Sequence, residues 1–312
     1  MSWVPVTDYQ SAQGWANPAE ADSRSRECCR QLEEGGVLYF DSVPFDLPQE
    51  DREFLRSQKQ SGLRVHKNIS YRPKTDMLRG AAADDPEGAQ RLHDIMRGFS
   101  KNVTQFVDRL LAPYANDRQL DFASYRPLEE KGRDLAYHKR NDLMHVDAFP
   151  TRPTNGGRIL RAFVNLNPAV NRIWEVAEPF EPLAGKLAEK AGLPRYAKYA
   201  GSPGRKLRQT VAPIFRSIGL KNLDRSPYDH FMLHFHDWLK ENRDYQEKWP
   251  KTRLEFPPQS CWLVYTDTVP HSVLSGQFAM EQTFIVPIRA MVAPQKSPLR
   301  VLEGLCNTAL AN

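Results

Sequence analysis

The hydrophobic positions of this chain change period along its length. From Arg91 to Ala112, Leu92, Ile95, Met96, Phe99, Val103, Phe106, Val107, Leu110 and Leu111 recur three to four residues apart. That spacing predicts a long helix with one apolar stripe, ended by Pro113. Upstream, Ala19 to Glu34 reads as a charged helix and GGVLYF (35–40) as a Gly-led turn into a short buried strand. Pro48 to Gln58 reads as a helix with proline at its start. The first twenty residues read as an extended arm and 59–89 as irregular. Beyond Leu120 the period shortens. FASYRP, LAYHKRNDLMHVDAFP, RILRAFVNLNP and RIWEVA are expected as successive strands, with turn residues such as Pro150, Pro153, Asn155, Gly156 and Gly157 between them. Residues 181–250 return to helical patterning in GKLAEKAGL, TVAPIFRSIGL and DHFMLHFHDWLKENRDYQEKW. Strand character resumes in SCWLVYTDTVPHSVLSG and QTFIVPIRAMV, and the tail, 294–312, ends in a short helix.

Strands therefore fall in two blocks separated by a helical insertion, the signature of an α+β chain with antiparallel sheets and helices outside. The expected core is a double-stranded β-helix, or jelly roll, closed around a site. At 312 residues one large domain is expected. Residues 1–118 would support it, 119–180 and 255–293 would form the jelly-roll core, and 181–254 the insertion.

Composition narrows the setting. Hydrophobic residues make up 40% and charged residues 26%, enough for a sizeable core. Cys28 and Cys29 are adjacent, and Cys261 and Cys306 add no CxxC, so neither a disulfide framework nor a zinc ribbon is expected and a reduced, cytosolic setting fits. The first twenty residues lack a basic start followed by an apolar run, and no run of about 18 apolar residues occurs, so neither a secretory leader nor a membrane span is expected. The net charge of +5 is mild. Lys186, Lys190, Arg195, Lys198, Arg205, Lys206, Arg208, Arg216, Lys221 and Arg225 concentrate cations in the insertion. They read either as a solvated face or as a patch facing an anionic partner. No nucleic-acid partner is expected.

The candidate chemistry sits in His145-Val146-Asp147. Residues i and i+2 of a strand point to one face, so the imidazole and the carboxylate can converge inside a barrel. HxD alone is common by chance. Here it stands at a strand end before the Pro/Gly loop 150–157, and His271 stands at a strand start in the second block. Were His271 on an adjacent strand, two histidines and one carboxylate would form the facial triad of a non-haem Fe(II) oxygenase. His138, seven residues before His145, should face the other way. His230, His234 and His236 are expected as helical core or surface residues, without the glutamate of an HExxH site. A carboxylate cosubstrate needs a forked cation. Arg161, Arg289 and Arg126 are the candidates, Arg161 being favoured because it lies in an apolar strand with Asn165 on the same face. Asp267, four residues before His271, can bind substrate hydroxyls or orient a ligand histidine. Trp174 can stack on a ligand at the barrel mouth, although core packing explains it as well.

HVDAFPTRPTNGGRILRAFVNLNP, VPHSVLSGQFAMEQTFIVP and LEEGGVLYF resemble the bacterial Kdo hydroxylase family, from about residue 30 to 290. The resemblance implies an Fe(II)- and 2-oxoglutarate-dependent dioxygenase of lipopolysaccharide inner-core assembly. It implies hydroxylation by O2 at C3 of the Kdo sugar of Kdo2-lipid A, giving Ko with release of succinate and CO2. On the motif, His145, Asp147 and His271 match the iron ligands. Many other 2-oxoglutarate enzymes carry an arginine about a dozen residues beyond the distal histidine, where this chain has Gln282 and Thr283. Gln282 therefore joins Arg161 and Arg289 as a cosubstrate candidate, with Arg126, Trp174 and Asp267 expected toward substrate. The anionic glycolipid implies a cytoplasmic enzyme in peripheral contact with the inner membrane. Three other readings stand beside it: a dioxygenase of an amino-acid side chain or another lipid, a zinc hydrolase, and a cupin-like binding module.

Overall fold

A computed structural model of the chain describes residues 3–10, 14–58, 68–81, 85–202 and 225–311. The architecture is α+β. An eight-stranded sheet has the order β1-β4-β11-β8-β13-β7-β5-β6, and a three-stranded sheet the order β10-β9-β12. The strands are β1 (Trp3–Pro5), β4 (Val37–Phe40), β5 (Ile69–Arg72), β6 (Met77–Arg79), β7 (Gln119–Arg126), β8 (Arg158–Asn165), β9 (Arg172–Val176), β10 (Thr252–Phe256), β11 (Cys261–Tyr265), β12 (His271–Ser275) and β13 (Ala279–Val286). Tyr9–Gln10 (β2) and Gly14–Trp15 (β3) form a separate hairpin. From β7 onward the chain passes repeatedly between the two sheets, so strands distant in sequence become neighbours.

Alternation along the strands explains the layering. In β8, Leu160, Ala162 and Val164 face the helical layer, and Phe163 faces the smaller sheet. In β11, Leu263 and Tyr265 face out, while Trp262 and Val264 face in. The outer face is covered by α1 (Ala21–Glu33) and α3 (Pro86–Leu110), whose buried residues include Leu92, Met96, Phe99, Val103 and Leu110. The space between the sheets is filled by Phe163, Trp174, Val176, Phe256, Trp262 and Val273. A third apolar cluster joins the helix Pro227–Glu241 of the insertion to the C-terminal helix Pro298–Cys306.

Several boundaries differ from the sequence reading. The N-terminal arm is partly strand, because Trp3–Pro5 pairs in parallel with Val37–Tyr39. The 59–89 stretch contains the β5–β6 hairpin, which extends the large sheet. The TRLEF segment is strand β10, hidden from the hydrophobic pattern because Arg253 and Glu255 alternate with Leu254 and Phe256 at a solvated edge. The last core strand stops at Val286, since Pro287 supplies no ladder donor and a short 3-10 turn follows. TVAPIFRSIGL and the cations at 205, 206, 208, 216 and 221 lie outside the described residues. Gly35 ends α1 at φ +93°, and a Cβ there would sit 2.8 Å from Pro179.

Candidate active site

The sequence predicts a strand through 135–150; the structure has only a single bridge there. His145 and His271 exchange backbone hydrogen bonds of 3.1 and 2.9 Å, and Asp147 N donates to Thr266 O at 2.8 Å. Most of the neighbouring backbone groups are taken by side chains of the insertion. Gln246 accepts from Met144 N and donates to Met144 O, both at 2.9 Å. His236 Nδ1 meets Val146 O at 2.7 Å. Lys240 Nζ donates to His138 O and Arg140 O at 2.8 Å. Arg225 donates to Phe149 O and Pro150 O, and Asp229 accepts from Thr154 N and Asn155 N. The segment is extended without being a ladder strand because side chains of the insertion satisfy most of its polar groups, while β12 pairs only with His145 and Asn141 O.

Four side chains meet at its end. His145, Asp147 and His236 present ligand atoms that all lie within 4.8 Å of one another. The His145 ring lies 4.7 Å from that of His271 and 4.8 Å from that of His236. The Nδ1 atoms of His145 and His271 face the carbonyls of Leu143 and Val269 at 2.7 and 2.9 Å, as His236 Nδ1 faces Val146. A carbonyl accepts only, so each Nδ1 carries the proton and each Nε2 keeps its lone pair. This is the pre-set state of a metal-binding histidine. Burial pushes His145 well below the ordinary imidazole value, lowers His271, and brings His236 down to about 4. Burial alone would raise Asp147, but the Arg161 guanidinium and His145 outweigh it and hold the carboxylate well below its ordinary range. Trp174 stacks on His271 at 5.1 Å, so the predicted mouth aromatic lines this site from within the core.

A row of buried charges leads away from Asp147. Arg161 lies 3.1 Å from Asp147 Oδ2 and 3.3 Å from Glu281. Arg126 donates to Glu281 at 2.6 Å and lies 3.5 Å from Glu130. Arg172 lies 3.5 Å from Glu130 and donates to Gly276 O at 3.0 Å. Gly276 has φ +129°, and a Cβ would meet Arg172 at 2.7 Å, so glycine permits this approach. The Nε atoms of Arg126, Arg161 and Arg172, together with Asp147 Oδ2 and Trp174 Nε1, are buried without an aligned hydrogen-bond partner. Such atoms are costly to bury and mark a place for a polar ligand.

Other predicted residues lie elsewhere. Arg289 is beyond the strand end, with 70% of its side chain exposed, and pairs with Asp117 at 2.8 Å, so it does not face the metal site. Asp267 points away from the histidines to Arg158 at 2.9 Å, both buried. Asn165 shares the inward face of Arg161, but its amide is spent on Val170 O, Phe256 O and Pro257 O. Gln282 faces the outer layer and donates to Asp121 O and Thr283 O. The sequence reading missed His236, Arg172, Glu130 and Glu281. For His236 a signal existed: Asp229, His236 and Lys240 form a polar stripe at helical spacing in an otherwise aromatic helix.

Comparison with known proteins bears on the whole chain. A family profile described as 3-deoxy-D-manno-oct-2-ulosonic acid (Kdo) hydroxylase matches residues 15–309. No curated protein matches. Among solved structures, the apo form of the Kdo hydroxylase KdoO, described as a non-haem Fe(II) α-ketoglutarate-dependent dioxygenase, is similar at 32% identity and a TM-score of 0.83. The complex of KdoO with α-ketoglutarate and Fe(III) is similar at 31% and 0.83, and the cobalt(II) complex at 32% and 0.84. Each comparison covers 100% of this chain and 98% of the other. On its sequence, fold and site, the chain belongs to the Kdo hydroxylase family.

Proposed function

We propose that this protein hydroxylates C3 of the Kdo sugar of Kdo2-lipid A to give Ko. It belongs to a family of Fe(II)- and 2-oxoglutarate-dependent dioxygenases, and the site suits that chemistry. The observation that carries the reading is the cluster of His145, Asp147 and His236 within 4.8 Å, with the His271 ring 4.7 Å from that of His145 and the Nδ1 atom of each imidazole turned to a carbonyl. His145, Asp147 and His271 are our iron ligands. His271 is favoured over His236 because the same backbone bridge fixes His271 and His145, whereas His236 rides on the insertion and borders the metal. Bound iron with 2-oxoglutarate and O2 supplies the oxidising power, with succinate and CO2 as by-products.

The chain's own side chains do the rest. Arg161 anchors the far carboxylate of 2-oxoglutarate, held in place by Glu281, with Arg126 beside it. Arg126, Arg161 and Arg172 face Asp147, Glu130 and Glu281, and Arg133 also lies 3.6 Å from Glu130. A dication and a dianionic cosubstrate add no net charge, so loading leaves the charge balance of the site as it was. Trp174, Phe163 and Trp262 exclude water from the inner side.

We read the strand order β7-β13-β8-β11, facing His145-β12-β9-β10, as a double-stranded β-helix. The N-terminal strands and the insertion are then parts of one dioxygenase domain. No helix of the described residues is long and apolar enough to cross a membrane. With a glycolipid acceptor, we place the enzyme at the cytoplasmic face of the inner membrane, in peripheral contact. The test is succinate formation by the purified protein. It should require iron, 2-oxoglutarate and Kdo2-lipid A together, with a mass gain of one oxygen on the sugar. Equal succinate release with an unrelated lipid or peptide would overturn the substrate assignment.

A further inference from the structure

Behind the HxD segment lies a cleft of about 630 Å³ that the metal site does not use. Lys74, Arg152, Arg289 and Arg300 line it, and Asp121 is its one lining carboxylate. A cleft of the same volume on α3 is lined instead by Asp46, Asp51, Glu87 and Asp94, with Arg91 as its lining cation. Opposite charge in equal space makes the first a selective place for anions.

The guanidinium groups keep donors to spare. Arg152 spends one nitrogen on Asp121, Arg289 one on Asp117 and Arg300 one on Glu303. Each guanidinium has five N–H donors. The pairs of Arg289 and Arg300 are largely exposed on the arginine side and weakly held. Lys74 is exposed and has no carboxylate partner among the described residues. Arg152 is held by the Phe122 and Phe149 rings, 3.9 and 4.4 Å from their centroids. Phe149 stands two residues beyond Asp147 and also packs 5.8 Å from the Arg161 guanidinium. The cleft is therefore one aromatic ring away from the proposed cosubstrate anchor.

We propose that this cleft binds an oxyanion of the acceptor glycolipid, a phosphate or a sugar carboxylate remote from the carbon that is hydroxylated. The proposal rests on the glycolipid reading above and adds where the acceptor is gripped. Planar guanidinium forks suit both anions, and contacts remote from the reacting carbon hold the sugar in register.

The test reverses two exposed charges, Lys74→Glu with Arg300→Glu, in the full chain loaded with iron. KM for Kdo2-lipid A should rise about tenfold, the effect falling on KM rather than kcat. The milder pair Lys74→Gln with Arg300→Gln should give about threefold and guards against misfolding of the first. Phosphatase-treated acceptor separates the sources. If it binds the wild type about tenfold more weakly and the reversal adds nothing, the gripped group is a phosphate. If the reversal still raises KM tenfold, it is a carboxylate. Either result supports the proposal. An acceptor KM within twofold of wild type in both pairs overturns it. So does inorganic phosphate that binds the wild type but neither pair and does not compete with the acceptor, which would mark a site for free anions. If the wild type makes no succinate at all, the oxygenase reading fails. Direct binding of labelled glycolipid in detergent micelles, wild type against the reversed pair, then decides the cleft separately.

Discussion

The two halves of the proposed metal site are held by different means. His271, Arg161 and Glu281 stand on β12, β8 and β13, of which β8 and β13 are paired on both sides and β12 on one side with β9. Moving any of them means shifting a ladder. His145 and Asp147 stand on a segment with one bridge and two further main-chain bonds, from Asp147 N and to Asn141 O, whose other polar groups are gripped mainly by Gln246, His236, Lys240, Arg225 and Asp229. One half is positioned by main-chain ladders, the other largely by side chains of the insertion. The first kind of support is cooperative and hard to remove by point mutation, whereas the second divides into single contacts that can be cut one at a time.

The largest effects should come from the proposed ligands themselves. His271→Ala and Asp147→Ala should each weaken Co(II) binding by at least about a hundredfold, and His236→Ala by less than about threefold. Calorimetric titration of the metal-free protein reads this directly. The reverse ranking would move the third ligand from the barrel to the insertion. Next is Arg161→Ala, which leaves Asp147 and Glu281 facing each other without their shared cation. The metal-free variant should lose about 3 kcal/mol in urea unfolding. KM for 2-oxoglutarate should rise about a hundredfold. Arg289→Ala removes only an exposed pair and should change stability by at most about 1 kcal/mol. Equal effects on cosubstrate KM from Arg161 and Arg289 would refute the anchor.

The same contrast explains what was legible in the sequence. Short apolar runs bounded by turn residues located β7, β8, β9, β11, β12 and β13, and so set Arg161 in an apolar strand and His271 at a strand start. Ladder support writes itself into local pattern, because a paired strand covered on both faces reads as a short apolar run. Side-chain support does not. Nothing local to LAYHKRNDLMHVDAFP says that Gln246 and Lys240 will hold its carbonyls, so its apolar residues suggested a strand. Glu281 was invisible for another reason. A glutamate inside a strand suggests an exposed position until the Arg126 and Arg161 partners, each more than a hundred residues away, are known.

Cutting the side-chain grip should have intermediate effects. Lys240→Met removes two hydrogen bonds, to His138 O and Arg140 O, and Gln246→Ala frees both polar groups of Met144. Each should cost about 1–3 kcal/mol of stability. If the grip positions the ligands, kcat should also fall about tenfold, and hydrogen exchange over 138–147 should rise while β12 stays protected. A loss of stability with kcat at the wild-type value would reduce the insertion to a structural cover.

The smallest effect is a pH dependence of the metal-free protein, and its sign distinguishes the histidines from the carboxylates. Burial lowers His145, His236 and His271 in the fold, so they stay neutral there while the unfolded chain takes up protons below about pH 6.5. The unfolded state then binds more protons, and stability must fall as pH drops from 6.5. Each histidine contributes up to about 1.4 kcal/mol per pH unit. The contribution of His236 stops growing near its folded value of about 4. Asp147 and Glu281, held low by Arg161 and Arg126, act with the same sign only below the ordinary carboxylate range. Between about pH 6.5 and 4.5 the histidines therefore account for the slope that the site contributes. His236→Asn keeps a donor toward Val146 O but cannot titrate. Its unfolding free energy should fall less steeply than that of the wild type across that window, by about a third of the site's contribution. Parallel curves for the two proteins would mean that the His236 ring is already protonated in the fold, which its lone pair on the metal site forbids.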